Sequence, residues 1–453
     1  MQMPKGFKEY LLRTMKEEVV EELTKGLQGE PSVSIRLNPK LLDADGGELT
    51  IAHADGRVPW CTEGFYLKER PVFTADPLLH AGCYYVQEAS SMFLAHVIHT
   101  LKETSSLLHL PSYIALDLCA APGGKSTLLR SLLPDEWLLV SNEPVRNRCQ
   151  VLAENLAKWG HPNVVVTNTY AQDIAEAMVQ GGFDLILADV PCSGEGMMRK
   201  EAEAVAQWSP QLVADCATLQ RSIVADIWPV LRPGGILIYS TCTFNPDEDE
   251  ENVAWIAREL GADVLDIPVP SEWGILGDLR KDAGNPLPCY HFLPGRVRGE
   301  GFFCAVLQKH KDAETPDFIE EIATQKEGKK ERKKGKDHTK SAPLTAADYL
   351  CQQLPTLPTD LLDCPEPDRK TGKVPPIAAR VELTLADAFR YLRGESLVLP
   401  PDTPRGIIQV CFNEHRLGLM KNLGTRANNL YPKEWRIRSS YIEAESIFVS
   451  STN

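Results

Sequence analysis

The sequence predicts an α/β protein built on a largely parallel sheet, with an α+β region before the sheet and a smaller domain after it. Over residues 113–309, apolar runs of strand length alternate with amphipathic helical stretches, as in consecutive βαβ units. A glycine-rich turn follows the first strand of this region, and a lysine-rich stretch at 326–340 separates it from the C-terminal residues. The predicted domains are 1–100, 101–311 and 344–453, with a basic flexible linker at 312–343.

Length and composition exclude several classes of protein. The 453 residues are 43% hydrophobic, enough for about two to three domains. No apolar run approaches the ~18 residues of a membrane span, so we expect no membrane partner. The N-terminal residues lack the apolar stretch of a secretory signal, so we expect a cytoplasmic protein. The twelve cysteines include no C-x-x-C pair and no zinc-like Cys/His cluster, so we expect reduced thiols and no metal site.

Positive charge is concentrated locally, although the formal net charge is −14. The stretch 326–340 carries eight Lys and Arg against three acidic residues, and it is either a solvated tether or a phosphate-contacting segment. A second basic cluster, from Arg405 to Arg438, also contains aromatic residues. Its members include Arg416, Lys421, Arg426, Lys433, Arg436, Tyr431 and Trp435. This mixture suits phosphate contact and base stacking.

The central region contains seven strand candidates. They are 113–119, 137–143, 163–168, 183–190, 234–242, 262–267 and 302–308, and a helix is predicted over 144–159. Ligands bind parallel sheets at the carboxyl ends of the strands, so the residues that follow each strand are the candidates for chemistry.

The first chemical motif is the turn after the first strand, DLCAAPGGK at 117–125. A glycine turn between strand and helix lets the backbone approach a ligand and directs free N–H groups towards it. It is not a phosphate-binding P-loop, because that motif needs glycine where this chain has Cys119. The second strand ends in Glu143, about 20 residues on, where a ribose-binding acid belongs. Asp173, in the loop after the third strand, or else Asn168, is expected to contact adenine. These features predict a nucleoside-cofactor site.

Two further motifs carry cysteines. DVPCSGEG (189–196) follows the fourth strand and STCTFNP (240–246) follows the fifth. Since the carboxyl ends of parallel strands share one edge, Cys192 and Cys242 should converge beside Asp189. The spacing alone leaves open which cysteine is the nucleophile.

The acidic run after the third motif is predicted to start a helix. Asn245 and Pro246 resemble N-cap and first-turn residues, with 247–251 filling the first turn. Acids are favourable near a helix N-terminus, so this explanation is preferred over a metal site.

Together, the three motifs resemble the signatures of the RNA cytosine-C5 methyltransferase family, which includes the NOL1/NOP2/Sun proteins. SIRLNP (34–39) and HAGCYYVQEASSM (80–92) are similar to the family's N-terminal region, and 416–438 resembles the PUA-like domain of bacterial enzymes that modify 16S rRNA. The resemblance implies a Rossmann-like S-adenosylmethionine-dependent methyltransferase fold whose last strand is antiparallel. It also implies an N-terminal α+β region and a C-terminal PUA-like RNA-binding domain.

The resemblance also implies a role for each motif residue. Cys242 is expected to be the nucleophile that adds to C6 of cytosine, and Cys192 to assist release of the methylated RNA. Asp189 and Lys125 are expected to contact the target base and the cofactor. The implied S-adenosylmethionine site comprises Cys119, Ala120, Ala121, Pro122, Gly123, Gly124, Lys125, Glu143, Asp173 and Asp189.

The implied substrate is 16S rRNA or the small ribosomal subunit, and no DNA partner is expected. The same reaction on tRNA is one alternative, and a non-catalytic rRNA-binding assembly factor is another. The intact Cys242, Asp189 and glycine turn argue against the second. Arg199, Lys200 and Trp208 either contact the substrate strand or are surface charges and a core tryptophan. We expect a monomer.

Overall fold

The computed structural model describes residues 3–41, 50–104, 113–178, 182–312, 350–352, 354–359, 362, 374–439 and 441–449. The chain forms two compact units. The first holds the described residues of Met1–Ser32, Glu88–Gln150 and Asn163–Leu357, and the second those of Val33–Gln87, Val151–Pro162 and Pro358–Asn453. The predicted basic stretch 326–340 lies outside the described residues. Within these described ranges, no helix combines the length and apolar character needed to cross a membrane.

The helices and strands follow in chain order. Before residue 105 they are α1 (Phe7–Thr14), α2 (Glu17–Gly26), β1 (Val33–Leu37), β2 (Thr50–Ile51), β3 (Ala54–Arg57), β4 (Gly64–Leu67), α3 (Pro77–His80), β5 (Tyr84–Val86) and α4 (Leu94–Thr104). The central elements are β6 (Ile114–Asp117), α5 (Gly124–Leu132), β7 (Leu138–Asn142), α6 (Arg146–Trp159), β8 (Val164–Thr167), α7 (Ala171–Met178), β9 (Phe183–Asp189), α8 (Ala202–Gln207), α9 (Pro210–Ile227), β10 (Leu231–Thr241), α10 (Glu250–Leu260), β11 (Ala262–Leu265), β12 (Tyr290–Phe292) and β13 (Phe302–Lys309). The last are β14 (Thr356–Leu357), β15 (Ile377–Glu382), α11 (Leu385–Leu392), β16 (Gly406–Phe412), β17 (His415–Asn422), β18 (Ala427–Asn429) and β19 (Phe448–Val449).

The first unit is built on a nine-stranded sheet. Its spatial order is β11-β13-β10-β9-β6-β7-β8-β14, with β12 paired to β13. Strands β10, β9, β6, β7 and β8 run parallel, and β13 is antiparallel to β10. Each of the seven predicted strands is present, and the antiparallel last strand is confirmed. Apolar side chains of β6, β7, β9, β10 and β13 form the core, as expected for strands that are covered on both faces.

The strand order reverses next to β6, which determines where the motifs lie. From β6 the chain proceeds through β7 and β8 on one side, and then returns to β9 and β10 on the other. Such a reversal leaves a crevice at the carboxyl ends of the strands. Asp117 of β6 is level with Leu187 of β9, and Ser240 of β10 is level with Asp189. The loops after β6, β9 and β10 therefore emerge side by side.

The second unit contains two four-stranded sheets, ordered β3-β4-β1-β5 and β15-β16-β17-β18, that contribute to one core. Helix α11 begins where the Thr384 side chain accepts a hydrogen bond from the backbone N–H of Asp387. Its buried Tyr391 packs on the buried Tyr431, with ring centroids 5.4 Å apart.

Candidate active site

The glycine turn after β6 is built for close approach of a ligand. Gly123 has φ +113°, a left-handed conformation that favours glycine, and it directly precedes α5. Two hydrogen bonds to neighbouring elements fix the backbone of this turn. The backbone N–H of Ala120 donates to Asn142 O (2.8 Å), and the Arg148 side chain donates to Ala121 O (3.1 Å). The N-terminus of α5 therefore lies at the carboxyl edge of the sheet, where the N–H groups of a helix favour a polar ligand.

Two buried acids beside the turn keep an oxygen without a hydrogen bond. Asp117 accepts from Ser126 Oγ at 2.6 Å through Oδ2, while its Oδ1 has no partner. Burial raises the pKa of Asp117 to about 7. Glu143 accepts from the backbone N–H of Val145, and its Oε2 lies 3.3 Å from Arg148 without forming a hydrogen bond. Since buried acceptors are normally satisfied, these oxygens suit the hydroxyl or amino groups of a ligand.

Asp173 differs from its predicted setting. It lies in the first turn of α7, not in the preceding loop, and its exposed carboxylate accepts from Thr169 Oγ1 at 2.7 Å. The alternative, Asn168, donates to the carbonyl oxygens of Glu143 (2.7 Å) and Pro144 (3.0 Å). Asp173 thus stabilises a helix start and Asn168 holds the backbone next to Glu143. A contact of either residue with adenine stays a prediction.

Lys125 and Asp189 form an ion pair in the crevice. Lys125 Nζ lies 2.8 Å from Asp189 Oδ2, and Ser240 Oγ donates to Asp189 Oδ1 at 2.8 Å. Burial lowers the pKa of Lys125, but the Asp189 carboxylate and its hydrogen bond outweigh burial, so the net pKa is raised. The pair therefore places a lysine cation and an oriented carboxylate at the edge of the sheet.

The two motif cysteines are in contact. Cys192 Sγ and Cys242 Sγ are 3.2 Å apart, and both side chains are partly exposed. The hydrogen bond with Cys242, together with burial, raises the pKa of the Cys192 thiol well above its ordinary value. The two thiols therefore share a hydrogen bond in which either sulfur can be the donor.

The predicted helix start at 245–251 is wrong by four residues. Helix α10 begins at Glu250, and residues 246–249 form turns. Glu248, Asp249 and Glu250 are completely buried. The backbone N–H of Glu248 donates to Asn245 Oδ1 (3.0 Å), so Asn245 caps this turn and not the helix. The acidic run is part of the protein interior, where each carboxylate needs a specific donor.

The acids of this run have separate partners. Thr241 Oγ1 donates to Asp249 at 2.6 Å, and Glu250 pairs with His291 at 3.0 Å. Glu250, Cys289 and His291 have potential ligand atoms within 4.8 Å of one another. Two members of this grouping, Glu250 Oε1 and His291 Nε2, are joined by a hydrogen bond.

Arg199 and Trp208 make internal contacts, so Trp208 is the core tryptophan of the alternative, whereas Arg199 is largely buried and not a surface charge. Arg199 pairs with Glu300 at 2.8 Å and donates to the carbonyl oxygen of Gly299. Trp208 is buried, and its Nε1 donates to Glu195 at 2.9 Å. Lys200 remains exposed, 3.8 Å from Glu300.

The basic cluster of the second unit also contains structural residues. Tyr431 is buried in the core, so the prediction that it stacks on bases is wrong. Arg416 donates to the carbonyl oxygen of Ala157 at 3.0 Å, at the C-terminal end of α6. The exposed cations are Arg405, Lys421, Arg426, Lys433 and Arg438.

Five polar residues of the crevice were not identified as functional from the sequence: Asp117, Glu195, Ser240, Asn245 and Glu248. All five lie inside or directly after the three motifs, which is the signal that points to them. Glu195, Ser240 and Glu248 have hydrogen-bond partners that are at least 49 residues away in the sequence, so the sequence does not reveal these contacts.

Three family models match this chain. Residues 107–308 match 16S rRNA methyltransferase RsmB/F, residues 3–89 match the N-terminal domain of 16S rRNA methyltransferase RsmF, and residues 378–437 match the methyltransferase RsmF PUA domain. Proteins named ribosomal RNA small subunit methyltransferase F are similar. The one from Serratia proteamaculans is 36% identical over 56% of this chain and 51% of its own length. The one from Photobacterium profundum is 34% identical over 62% of this chain and 58% of its own length. The chain thus spans somewhat more than half of these relatives.

Solved structures share the fold. A methyltransferase homolog protein from Pyrococcus horikoshii has a TM-score of 0.52 and 26% identity, covering 65% of this chain and 92% of that one. NSun6 from the same organism, solved with SFG, has a TM-score of 0.53 and 21% identity, covering 68% of this chain and 99% of that one. Both matches agree with the Rossmann-like architecture of the first unit.

Proposed function

We propose that this chain transfers a methyl group from S-adenosylmethionine to C5 of a cytosine in 16S rRNA, and the match of residues 107–308 to the family model described as 16S rRNA methyltransferase RsmB/F supports the proposal. The observation that carries the proposal is the 3.2 Å contact between Cys192 and Cys242 at the strand ends beside Asp189. Carbon 5 of cytosine is a poor nucleophile until a thiolate adds at C6. The expected cytoplasmic location and monomeric state belong to the same proposal.

The residues around the glycine turn fit S-adenosylmethionine. The turn lies at the N-terminus of α5, where helix N–H groups favour a polar ligand, and Glu143 Oε2, which lies near Arg148 but accepts no hydrogen bond, suits a ribose hydroxyl. Asp117 would accept a further polar group through its unpartnered Oδ1. The bound cofactor supplies the methyl group as an electrophile. The other loop residues from 119 to 125 would line its binding site.

Cys242 is the proposed nucleophile. Its thiolate forms a bond to C6, and the electron pair of the C5–C6 double bond makes C5 reactive. Asp189, held by Lys125 and Ser240, is proposed to stabilise the charge that develops near N3 of the base. The fixed orientation of this carboxylate matters, because groups that are already aligned need no reorganisation during the reaction.

Cys192 is proposed to assist release of the product. After methyl transfer, a base removes the C5 proton, the C5–C6 double bond re-forms and the bond from C6 to the Cys242 sulfur breaks. The 3.2 Å contact and the raised pKa of Cys192 support a role in which its S–H donates a hydrogen bond to the departing Cys242 thiolate. Without this donor the covalent protein–RNA adduct should persist.

The second unit is proposed to supply RNA affinity. It carries the matched PUA domain and the exposed cations Arg405, Lys421, Arg426, Lys433 and Arg438. Phosphate contacts position a protein on RNA without reading its sequence. The target cytosine must leave its stack to reach Cys242, so a flipped or unpaired base is expected.

The test is methyl transfer from labelled S-adenosylmethionine to purified 16S rRNA and to bulk tRNA, followed by bisulfite mapping of the product. The proposal expects 5-methylcytosine in 16S rRNA and a much slower reaction on tRNA. Preferential labelling of tRNA would replace the proposed substrate. Tight binding of 16S rRNA without any methylation would instead support an assembly factor.

A further inference from the structure

The two cysteines lie on separate loops that exchange hydrogen bonds. We name residues 190–196, after β9, the Cys192 loop, and residues 242–249, after β10, the Cys242 loop. The backbone N–H of Gly196 donates to the carbonyl oxygen of Cys242 at 2.8 Å. A Cβ added at Gly196 would lie 2.8 Å from that same oxygen, so only glycine permits this approach.

Each loop also contributes an acid to the backbone of the other. Glu195 of the Cys192 loop accepts from the N–H of Phe244 at 2.8 Å. Glu248 of the Cys242 loop accepts from the N–H of Ser193 at 3.0 Å. Ser193 directly follows Cys192, and Phe244 is two residues beyond Cys242. The two carboxylates therefore fix the backbone beside each sulfur from the opposite loop.

Asn245 joins the two acids. Its Nδ2 lies 3.1 Å from Glu195 Oε1 and 2.9 Å from Glu248 Oε1. All three side chains are completely buried. Two carboxylates that share a buried site repel each other, so a common amide donor is needed to hold both.

Residues outside the two loops also donate hydrogen bonds to Glu195 and Glu248. Gln220 of α9 donates to Glu248 Oε2 at 2.8 Å and to the carbonyl oxygen of Pro191 at 2.9 Å, so it contacts both loops. Trp208 donates to Glu195, and it packs on Phe7 of α1 with ring centroids 5.0 Å apart. The arrangement is therefore anchored to two helices of the same unit.

We propose that Glu195, Asn245 and Glu248 form a crossed clamp whose function is to position Cys192 Sγ against Cys242 Sγ. They are positioning residues, because none of them is assigned a contact with substrate. The proposal rests on the proposed function for its purpose, since the thiol contact matters for release of the adduct. Its geometry can be tested without any methyl transfer.

The test uses disulfide formation as a measure of thiol contact. Diamide removes two electrons and two protons from a pair of thiols, which form a disulfide while diamide becomes the corresponding hydrazine. The full-length protein is treated with diamide, and the Cys192–Cys242 cross-link is followed by peptide mass spectrometry. Glu248→Gln and Glu195→Gln should each slow this cross-link by at least about tenfold, since orientation governs the rate between two held groups.

Two control variants separate positioning from general stability. Asp184→Asn removes a buried acid that also accepts a backbone N–H, from Ile114 at 2.9 Å, at the opposite edge of the same sheet. It should lower the thermal unfolding midpoint as much as Glu248→Gln does, yet leave the cross-linking rate unchanged. Ser193→Ala removes the hydroxyl contacts with Thr243 and Glu248 but keeps the clamped backbone N–H, so it should slow the cross-link less than Glu248→Gln does.

The outcomes are distinct from those of the proposed function. Wild-type cross-linking rates in both clamp variants would overturn the clamp, whether or not the protein methylates RNA. Equal slowing in Asp184→Asn would also overturn it, because the effect would then be general loosening. If either clamp variant fails to fold, the other decides. A clamp effect in an active enzyme should lower kcat while KM for RNA stays unchanged.

Discussion

At the amino edge of the nine-stranded sheet, the buried Asp184 has a donor for each carboxylate oxygen, from Arg232 at 2.7 Å and from the backbone N–H of Ile114 at 2.9 Å. At the carboxyl edge, Asp117 and Glu143 are equally buried, yet each keeps an oxygen without a hydrogen bond. An unsatisfied buried polar group costs about 1–3 kcal/mol. The buried acid at the amino edge is therefore fully paired, whereas the two at the carboxyl edge each keep an oxygen that accepts no hydrogen bond.

The same contrast holds for cations. Arg232 pairs with the buried Asp184 and lies over the Tyr113 ring, whereas Lys125 pairs with Asp189, which also accepts a hydrogen bond from Ser240. If this comparison is correct, substitutions at the carboxyl edge should lower activity more than stability, and substitutions at the amino edge should lower stability more than activity.

The largest effect is expected from Lys125→Ala. The substitution removes the cation that orients Asp189, so methyl transfer should fall by roughly 10²–10³-fold. The thermal unfolding midpoint should fall only modestly, because Ser240 still donates to the Asp189 carboxylate and 28% of the Asp189 side chain is exposed to water. Single-turnover methylation and thermal unfolding measure the two effects. Retained activity in this variant would contradict an electrostatic role for the pair.

Arg232→Ala should show the opposite behaviour. It leaves Asp184 buried without its charged donor, so the free energy of unfolding should fall by about 2 kcal/mol. Methylation measured well below the unfolding temperature should remain close to wild type. A large loss of activity in a folded protein would show that the two edges are not independent.

Glu143→Gln should weaken cofactor binding more modestly. The change replaces one carboxylate oxygen, a hydrogen-bond acceptor, with an NH2 group, which is a donor. Because the ribose hydroxyl then loses its proposed acceptor, KM for S-adenosylmethionine should rise by about tenfold. Glu136→Gln is the matched control, since this exposed acid lies just before β7 and Glu143 just after it. Equal KM values for the two variants would remove Glu143 from the proposed site.

The smallest effect concerns pH. Burial and the neighbouring Glu195 raise the pKa of Glu248 from 4.5 to about 7. The folded state therefore holds a proton that the unfolded chain releases above pH 4.5. This contribution to stability is complete below pH 4.5 and is lost as pH rises through about 7. Glu248→Gln should flatten the decline in unfolding free energy over this range, as measured by denaturant titration. Parallel curves for the two proteins would show that Glu248 does not titrate in this range.

The sequence predicts the sheet well because its signals are local. Apolar runs mark β6 to β10, and a glycine turn marks the cofactor side. The convergence of Cys192 and Cys242 follows from the parallel order of the strands, because the carboxyl ends of parallel strands lie at one edge of the sheet for any loop conformation.

The sequence fails where a tertiary partner decides the environment of a residue. The acids after Cys242 look like a solvated helix start, yet Glu248 is buried because Ser193 and Gln220, distant in sequence, supply its donors. Tyr431 looks like a stacking platform among basic residues, but it packs on Tyr391. Side-chain type and spacing carry no information about such partners.

The most direct test of the account is the fate of the covalent adduct in the two cysteine variants. Cys192→Ala and Cys242→Ala are incubated with 16S rRNA and S-adenosylmethionine and run on a denaturing gel. The account predicts that Cys192→Ala accumulates a protein–RNA adduct, and that Cys242→Ala gives neither adduct nor methylation. Methylation by Cys242→Ala would contradict the account and make Cys192 the candidate nucleophile.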